Sequence, residues 1–542
     1  MKYVFPKRIV ASQGVDNAEV LLKAQTLQIG LSETDCAYFG SNAYIILDYG
    51  EELSGGARIL THLSNGSKTV RLRFGESVSE TCAELGSGFG FATNDHSLRD
   101  FTAALQNYSD MTFGQTGFRF LRIDAMENVE LRVKSVAAAV DTDTREELGA
   151  FECDDPLVNE IWTTAARTIR LCLQNGYFWD GIKRDRLVWI GDLYPEMRAA
   201  QCLFGDVPET ENSLAFVHSQ TPLPNWMNNI ATYSLWWLII LADEYAVKGD
   251  KTPFVAYLPY INGLIKQVSD NVKENGDTTY PWDFIDWPSC YTDNGPQENA
   301  EAKKMDSLAG VAFLTKIAMQ KTAELLTAWG EDASLCYDII NRLDKKEQKV
   351  VLFKQIAGLG VWSGCKSEDY KEVLLRGGAK GLSTFMSYPI LTAIAAFGEY
   401  DKALAFMKEY YGGMLSVGAT SFWEDFDLAW LENCGRIDEM PQEGKVDIHG
   451  DKGAFCYVGF RHSFCHGWSA GVIPYLAETV AGIKPVGVGM KKFRIQPNLS
   501  GLKHLKIKYP VANGILTVEH TLQADGSVET KVDAPSGVEI VK

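Results

Sequence analysis

Asp180-Gly-Ile-Lys-Arg-Asp-Arg-Leu-Val-Trp-Ile-Gly-Asp192 places three carboxylates, three basic side chains and one tryptophan in thirteen consecutive positions. Aromatic residues occupy positions 177–179 just before it, and Leu187 and Val188 interrupt the charges, which is not the composition of a solvated helix face. Apolar neighbours raise the pKa of a carboxyl group and arginines lower it. The acids of this stretch could therefore be held in different protonation states, as general acid and base catalysis requires.

The spacing of the acids leaves two interpretations of this stretch open. If residues 185–192 are helical, Asp185, Trp189 and Asp192 share one face, and a sugar ring could stack on the tryptophan between two acids. Alternatively, the segment is a salt-bridged helix start in which Asp185 pairs with Arg184 or Arg186.

Composition and charge restrict the class of partner. The 542-residue chain has a net charge of −18, which argues against nucleic acid and anionic membrane surfaces as partners. Aromatic residues make up 11% of the chain and suit a protein that stacks flat ligands such as sugar rings, although large cores also use them. A small, neutral carbohydrate is the expected ligand.

The amino terminus shows no secretory signal and no apolar run approaches the length of a membrane span, so we expect a cytoplasmic protein. Eleven cysteines lie scattered without paired spacings, as in a protein with reduced thiols. His462 and His466 lack the intervening glutamate of a zinc protease helix, and no calcium loop is visible. We therefore expect neither a metal nor a cofactor.

The chain is long enough for about two to four domains. Residues 1–148 have the alternation of β-strands and predict an antiparallel sandwich, which could present an edge to a second copy in a homodimer. Residues 152–482 have helical periodicity, with aromatic, glycine-rich and proline-rich loops between helices, and predict a helical toroid. Strand patterns return in residues 487–542. The acidic segment from Asn433 to Asp451 is the predicted insertion.

Three further segments of the helical region combine aromatic residues with ionisable groups. Residues 420–427 place Glu424 among aromatic side chains, residues 282–287 set acids between two tryptophans, and residues 462–471 contain His466 and Trp468. Each segment taken alone also fits ordinary core or loop packing. Carbohydrate chemistry is the interpretation that accommodates all of them together with the Asp180–Asp192 stretch.

The Asp180–Asp192 stretch resembles the signature of glycoside hydrolase family 78, the α-L-rhamnosidases of the six-hairpin glycosidase superfamily. The usual form of that signature is Asp-Cys-Pro-x-Arg-Glu-Arg-x-Gly-Trp-x-Gly-Asp. Ser421-Phe-Trp-Glu-Asp-Phe-Asp is similar to the family's Thr-x-Trp-Glu-x-Trp-Asp. Phe284-Ile-Asp-Trp resembles its Gly-Asp-Trp loop, and Ser463-Phe-Cys-His-Gly-Trp resembles its Ser-x-Asn-His-Tyr.

The resemblance implies a central all-α (α/α)6 barrel flanked by N-terminal and C-terminal antiparallel β-sandwich domains. It places Asp185 at the position of the general acid and Glu424 at that of the general base. It also implies substrate-binding residues, namely Asp180, Arg184, Trp189, Asp192, Trp287 and His466. The family inverts the anomeric carbon, which requires room for a water molecule and carboxyl groups roughly 6.5 to 9.5 Å apart.

Three departures from the family pattern bear on this assignment. Asp185 is one methylene shorter than the usual glutamate, and Gly181 and Ile182 replace the usual Cys-Pro. The insertion from Asn433 to Asp451 lies between the Glu424 and His466 motifs, where it could cap the pocket.

The resemblance therefore predicts an inverting exo-glycosidase that removes terminal, non-reducing α-L-rhamnose from small rhamnosides, with Asp192 as the next candidate acid if Asp185 fails. The alternatives are another (α/α)6 glycosidase or phosphorylase, and a catalytically degenerate protein that binds rhamnosides without cleaving them.

Overall fold

A computed structural model describes residues 2–27, 29–84, 98–126, 130–289, 299–455 and 458–541. The first part of the chain forms a seven-stranded sheet and one short helix. These elements are β1 (Lys2–Val4), β2 (Arg8–Asp16), β3 (Ala37–Thr61), β4 (Lys68–Gly75), α1 (Val78–Cys82), β5 (Asp100–Leu105), β6 (Asp110–Ala125) and β7 (Leu131–Val140).

The strands follow the order β1-β7-β3-β6-β4-β5, and β2 pairs with β3. The expected antiparallel pairing holds for the named pairs of this sheet except β3 with β7, which run parallel. Strand β3 is 25 residues long and contacts β2, β6 and β7, with several register shifts along its length. Residues 52–61 of β3 are buried on both faces, so this half of the strand lies inside the protein rather than at its surface.

The middle of the chain is helical. The described helices of four or more residues, with three short strands, are β8 (Ala150–Cys153), α2 (Pro156–Cys172), β9 (Leu173–Gln174), β10 (Tyr177–Phe178), α3 (Leu193–Phe204), α4 (Pro208–Gln220), α5 (Ala231–Lys248), α6 (Leu258–Asp270), α7 (Ala300–Trp329), α8 (Ser334–Leu343), α9 (Lys354–Trp362), α10 (Glu368–Leu375), α11 (Ser387–Ala396), α12 (Tyr400–Ser416) and α13 (Val472–Tyr475). A π-helical turn, Leu476–Val480, follows α13. Helix α5 is buried along nearly its whole length, including Trp236 and Trp237, because other helices surround it.

The last part of the chain returns to strands, namely β11 (Ile483–Pro485), β12 (Lys492–Ile495), β13 (His504–Val511), β14 (Gly514–Leu522), β15 (Val528–Asp533) and β16 (Glu539–Val541). One sheet has the order β15-β14-β13-β8. Its edge strand β8 comes from before the helical region, with Phe151 opposite Ile507 and Cys153 opposite Leu505. The end of the chain is therefore joined by backbone hydrogen bonds to the segment that leads into α2.

Within these described ranges, no helix has both the length and the apolar composition that a bilayer crossing requires.

Candidate active site

The stretch from Asp180 to Asp192 forms an irregular loop rather than a helix, and α3 begins only at Leu193. Asp185 and Arg186 both have φ of 54°, in the left-handed region that a right-handed helix cannot contain. The interpretation that places Asp185, Trp189 and Asp192 on one helix face is therefore wrong. Tertiary contacts, and not helical spacing, bring these residues together.

Hydrogen bonds close this loop around Asp180. The Asp180 carboxylate accepts a hydrogen bond from the Leu187 amide at 2.9 Å, and the Asp180 amide donates to the Leu187 carbonyl at 3.1 Å. Gly467 donates its amide to the Asp180 carbonyl at 2.8 Å, and Gly181 forms an antiparallel bridge with His466. The loop is thus bonded to the segment that contains His466, although 285 residues separate Gly181 from that histidine.

Arg184 connects the two carboxylates that the resemblance singles out. Its Nη1 donates to Asp185 Oδ2 at 2.9 Å, and its Nη2 donates to both carboxylate oxygens of Glu424. Its Nε donates to the Arg461 carbonyl at 2.7 Å. Asp185 therefore does pair with Arg184, as the second interpretation of the stretch predicts, but in a loop and as part of a network that includes Glu424.

Glu424 is buried, and its ionisation depends on its neighbours. Burial raises the pKa of its carboxyl group, but the Arg184 guanidinium and then His466 outweigh burial and hold the pKa at about 2. The Ser463 amide also donates to Glu424 Oε2 at 3.2 Å. The carboxyl group is therefore ionised at neutral pH, as a general base must be.

His466 lies between Asp192 and Glu424. Its Nε2 is 3.0 Å from Asp192 Oδ2, and its Nδ1 is 4.0 Å from Glu424 Oε1. Tyr233 donates its hydroxyl to Asp192 Oδ1 at 3.2 Å. Burial lowers the pKa of His466, but Glu424 and Asp192 more than offset this and the pKa is raised. His466 Nδ1 is buried without a hydrogen-bond partner among the residues that the structure describes, which suits a group that binds a substrate hydroxyl.

Asp185 is the more accessible of the two proposed catalytic carboxylates. Its side chain is 21% exposed, against 4% for Glu424. A proton donor to a leaving group must reach the part of the substrate that faces solvent. The exposure of Asp185 fits that task.

The predicted aromatic residues border the same region. Trp189 is half-buried and meets Tyr233, the partner of Asp192, edge to face at 6.2 Å. Trp287 is half-buried and packs edge to face against Phe284 at 5.1 Å. Its neighbour Asp286 is close enough to Asp192 for the two charges to repel. The structure therefore brings all eight predicted site residues into one region around Arg184 and Asp192.

Asp286 and Asp425 are two further carboxyl groups of this region that were given no role from the sequence. Burial raises the pKa of Asp286 to about 6, and burial together with repulsion from Asp286 raises the pKa of Asp425 to about 7. Ser383 donates its hydroxyl to Asp286 Oδ2 at 2.5 Å. Both acids lie inside the motifs quoted above. An acid among aromatic residues was therefore the sequence pattern that could have predicted a role for each of them. Tyr233 lies in the apolar sequence of α5, and no pattern there indicated that it would bind Asp192.

The cavity of about 770 Å³ lined by Lys316, Leu343 and Tyr370 contains none of these residues. Its size does not make it the reaction site, since the convergent charged groups lie elsewhere.

Comparison with known sequences identifies two regions of the chain. Residues 146–342 match the bacterial alpha-L-rhamnosidase 6 hairpin glycosidase domain, and residues 482–541 match the bacterial alpha-L-rhamnosidase C-terminal domain. Both matches are to models of bacterial α-L-rhamnosidase domains. The family resemblance inferred from the motifs is confirmed, and the region that matches the six-hairpin model contains the Asp180–Asp192 loop. No curated protein sequence matches the chain.

Solved rhamnosidase structures share the fold. The family 78 rhamnosidase of Bacillus sp. GL1 aligns with a TM-score of 0.72 at 19% identity, over 92% of this chain and 53% of that one. The rhamnosidase of Dictyoglumus thermophilum aligns with a TM-score of 0.70 at 15% identity, over 100% of this chain and 58% of that one. A Klebsiella oxytoca rhamnosidase with rhamnose bound has a TM-score of 0.67 at 18% identity, over 88% of this chain and 95% of that one. The chain thus spans between half and three fifths of the first two proteins.

Proposed function

We propose that this protein is an inverting exo-α-L-rhamnosidase that acts on small rhamnosides, with Asp185 as general acid and Glu424 as general base. The observation that carries the proposal is the Arg184 network, in which one buried guanidinium binds both carboxylates. Arg184 and Asp185 lie in the region that matches the bacterial alpha-L-rhamnosidase 6 hairpin glycosidase domain. The rhamnose bound in the Klebsiella oxytoca structure supports the choice of sugar.

Each carboxylate has one task in this mechanism. Asp185 protonates the glycosidic oxygen as the bond to the leaving group breaks. Glu424, ionised because of Arg184, removes a proton from the water that attacks the anomeric carbon from the opposite face. No covalent sugar intermediate forms. Asp180, Asp192, His466, Trp189 and Trp287 bind the rhamnose ring.

The first experiment measures hydrolysis of p-nitrophenyl α-L-rhamnoside by wild type, Asp185→Asn and Glu424→Gln. We expect either substitution to reduce kcat by about 10²–10⁴-fold, the usual contribution of general acid or base catalysis. Glu432→Gln, which removes an exposed carboxylate, is the matched control and retains activity. Retention of most activity in either test variant contradicts the role assigned to that residue, and for Asp185 it transfers the acid role to Asp192.

A more reactive leaving group separates the acid from the base. A 2,4-dinitrophenyl group departs with little need for protonation, so Asp185→Asn should recover much of its activity on that rhamnoside while Glu424→Gln should not. Proton NMR of the first product distinguishes β-rhamnose, which inversion of an α-rhamnoside yields, from α-rhamnose. An α product contradicts the inverting mechanism.

The alternatives have distinct outcomes in the same assays. Turnover that requires inorganic phosphate identifies a phosphorylase, and turnover of other aryl glycosides but not the rhamnoside identifies a different glycosidase. Binding of rhamnose without turnover, even of the dinitrophenyl substrate, identifies a degenerate site.

The domain architecture, cellular location and oligomeric state of the protein are also part of the proposal. We propose that the six-hairpin domain is an (α/α)6 barrel between β-sandwich domains and that the protein works in the cytoplasm without a metal or cofactor. A homodimer is also proposed, and light scattering in solution tests it.

A further inference from the structure

A buried cluster of charged residues lies where the N-terminal sheet meets the Asp180–Asp192 loop. It consists of Glu76 just before α1, Glu80 within α1, Arg99 just before β5, Lys183 from the loop, and His449 from the predicted insertion. None of the five is more than 3% exposed. Charged side chains are almost never this deeply buried unless they are paired.

Lys183 is at the centre of this cluster. Its ammonium nitrogen is 3.2 Å from Glu76, 3.0 Å from Glu80 and 3.3 Å from His449 Nε2, and it donates to the His462 carbonyl at 2.8 Å. Oxygen and nitrogen atoms of Glu76, Glu80 and His449 also lie close enough together to hold a metal ion. The lysine ammonium contacts all three, so Lys183 supplies the positive charge there.

The charges of the cluster balance. Arg99 Nε is 2.7 Å from Glu80 Oε1, so two cations face two carboxylates. Burial, followed by the neighbouring Glu76, raises the pKa of the adjacent Glu52 well above its usual range. Removing one member leaves a buried, unpaired charge, which costs several kcal/mol in a typical protein. The pairing therefore fixes where Lys183 can lie.

Hydrogen bonds to backbone atoms join the N-terminal region to two loops of the site, the Asp180–Asp192 loop and a second loop, residues 461–466. Gly117 of β6 donates its amide to the Ile182 carbonyl at 2.9 Å, and the Thr116 hydroxyl donates to the Lys183 carbonyl at 3.4 Å. Glu76 accepts a hydrogen bond from the Phe464 amide at 2.8 Å. The N-terminal sheet thus holds residues 182–183 on one side and Phe464 on the other.

The insertion from Asn433 to Asp451 adds to this attachment. The Ile437 carbonyl accepts a hydrogen bond from the Val78 amide at 2.8 Å, and Ser77 Oγ is 2.7 Å from His449 Nδ1. His449 stacks on Phe464 with 3.9 Å between ring centroids. In the described residues the insertion therefore connects α1 to the loop that precedes His466.

The Asp180–Asp192 loop and the second loop contain the groups that keep the Glu424 carboxyl group ionised. Arg184 follows Lys183 directly, and its Nε bonds to Arg461 within the second loop. Ser463, next to Phe464, donates its amide to Glu424. Displacement of either loop moves a hydrogen-bond donor of the proposed base.

We propose that Lys183, Glu76 and Glu80 are positioning residues, through which the N-terminal sheet holds Arg184 against Glu424 and so completes the active site. This inference rests on the proposed hydrolytic function. It gives the N-terminal region an indirect part in catalysis, through the position of Arg184.

The test compares Lys183→Met, Glu80→Gln and the double variant in the full-length chain. For Lys183→Met we expect kcat to fall by about 10–100-fold, the effect of misplacing a catalytic group by about 1 Å, with a smaller change in KM. The acidic limb of the pH profile of kcat/KM should move to higher pH, because Glu424 loses the cation that keeps its pKa low. Loss of folded protein alone lowers the apparent kcat but leaves that limb in place.

The double variant separates stability from catalysis. Removing one cation and one carboxylate restores the charge balance, so its Tm should recover relative to both single variants. Its kcat should not recover, because the bond from Lys183 to His462 is still missing. Lys134→Met is the matched control, since Lys134 is a buried lysine of β7 paired with Asp35 and distant in sequence from both loops. It should lower Tm without shifting the pH profile.

Retention of kcat and of the pH profile in Lys183→Met, despite a lower Tm, overturns the proposal. If the wild type hydrolyses no glycoside, the proposed function fails, and crystal structures of wild type and Lys183→Met still test the positioning role. We expect the Arg184 guanidinium to leave Glu424 in the variant. An unchanged Arg184–Glu424 contact overturns the inference independently of activity.

Discussion

At the scale of single residues, Arg184 sets the chemistry of the site. It forms an ion pair with Asp185 and with Glu424, and it is the strongest of the charges that oppose the effect of burial on Glu424. The guanidinium keeps Glu424 ionised and, by the same interaction, makes it a weaker base. The folded-state pKa of Glu424 lies near 2, against an ordinary 4.5, so its ionised form stabilises the fold above pH 4.5 and that contribution is lost as pH falls towards 2.

Replacing Arg184 should therefore raise the pKa of Glu424. In Arg184→Met, burial acts with less opposition, and the acidic limb of kcat/KM should move up by more than one pH unit, about 1.4 kcal/mol of lost interaction. Profiles measured between pH 2 and 8 test this, since the wild-type limb lies near pH 2. Arg186→Met is the control, because Arg186 donates to the Gln115 carbonyl and lies over the Trp179 ring. A limb that stays in place in Arg184→Met contradicts the assignment.

At the scale of elements, close approach of a strand to a loop positions the site. A Cβ atom at Gly117 of β6 would lie 2.6 Å from Ile182 Cγ1 and 3.0 Å from the Ile182 carbonyl carbon. Gly117→Ala should displace the Asp180–Asp192 loop and lower kcat by about tenfold or more. In the control Gly40→Ala, on β3, the nearest atom is at an ordinary 3.4 Å. Equal activity of the two variants shows that the contact does not position the loop.

A side chain of helix α7 binds the backbone just before the start of helix α9. Asp306 is fully buried and accepts hydrogen bonds from the amides of Val351, Leu352 and Phe353 at 3.0, 2.9 and 2.9 Å. Asp306→Ala leaves three amide donors without an acceptor, at a cost of about 1–3 kcal/mol each when buried. We expect a clear fall in Tm by circular dichroism. Asp332→Ala, which removes an exposed acceptor before α8, should have a smaller effect, and the reverse order of the two Tm values refutes this account.

At the scale of the whole molecule, the nine described cysteines are free, and Cys290 and Cys456 lie outside the described residues. Burial raises the pKa of several of these thiols, for example that of Cys336 to about 12, so they should react slowly in the folded state. Titration with Ellman's reagent should give eleven thiols per chain in denaturant and few without it. A deficit of two in denaturant, restored by a reductant, reveals a disulfide and contradicts the expectation of reduced thiols.

Much of the fold and of the site's composition could be predicted from local patterns. Helical periodicity predicted the helical region of residues 152–482, which contains α2, α5 and α7, because a helix must bury one face at regular spacing. Alternation predicted strands in residues 487–542, where β13 and β14 lie. The pairing of β8 with β13 could not be predicted, because a four-residue strand carries almost no local signal and its partner lies more than 350 residues away.

The sequence by itself determined which groups are available for chemistry and how the strand-rich and helical regions follow one another. It contains the acids, the arginine and the tryptophans of the site, and their order resembles the signature of the rhamnosidase family. Only the tertiary structure decided how they act. The left-handed conformation of Asp185, the meeting of Arg184 with Glu424 240 residues later, and the burial of Lys183 between two glutamates all depend on packing. Side-chain pKa and reach are set by neighbours in space, and local sequence patterns do not record those neighbours.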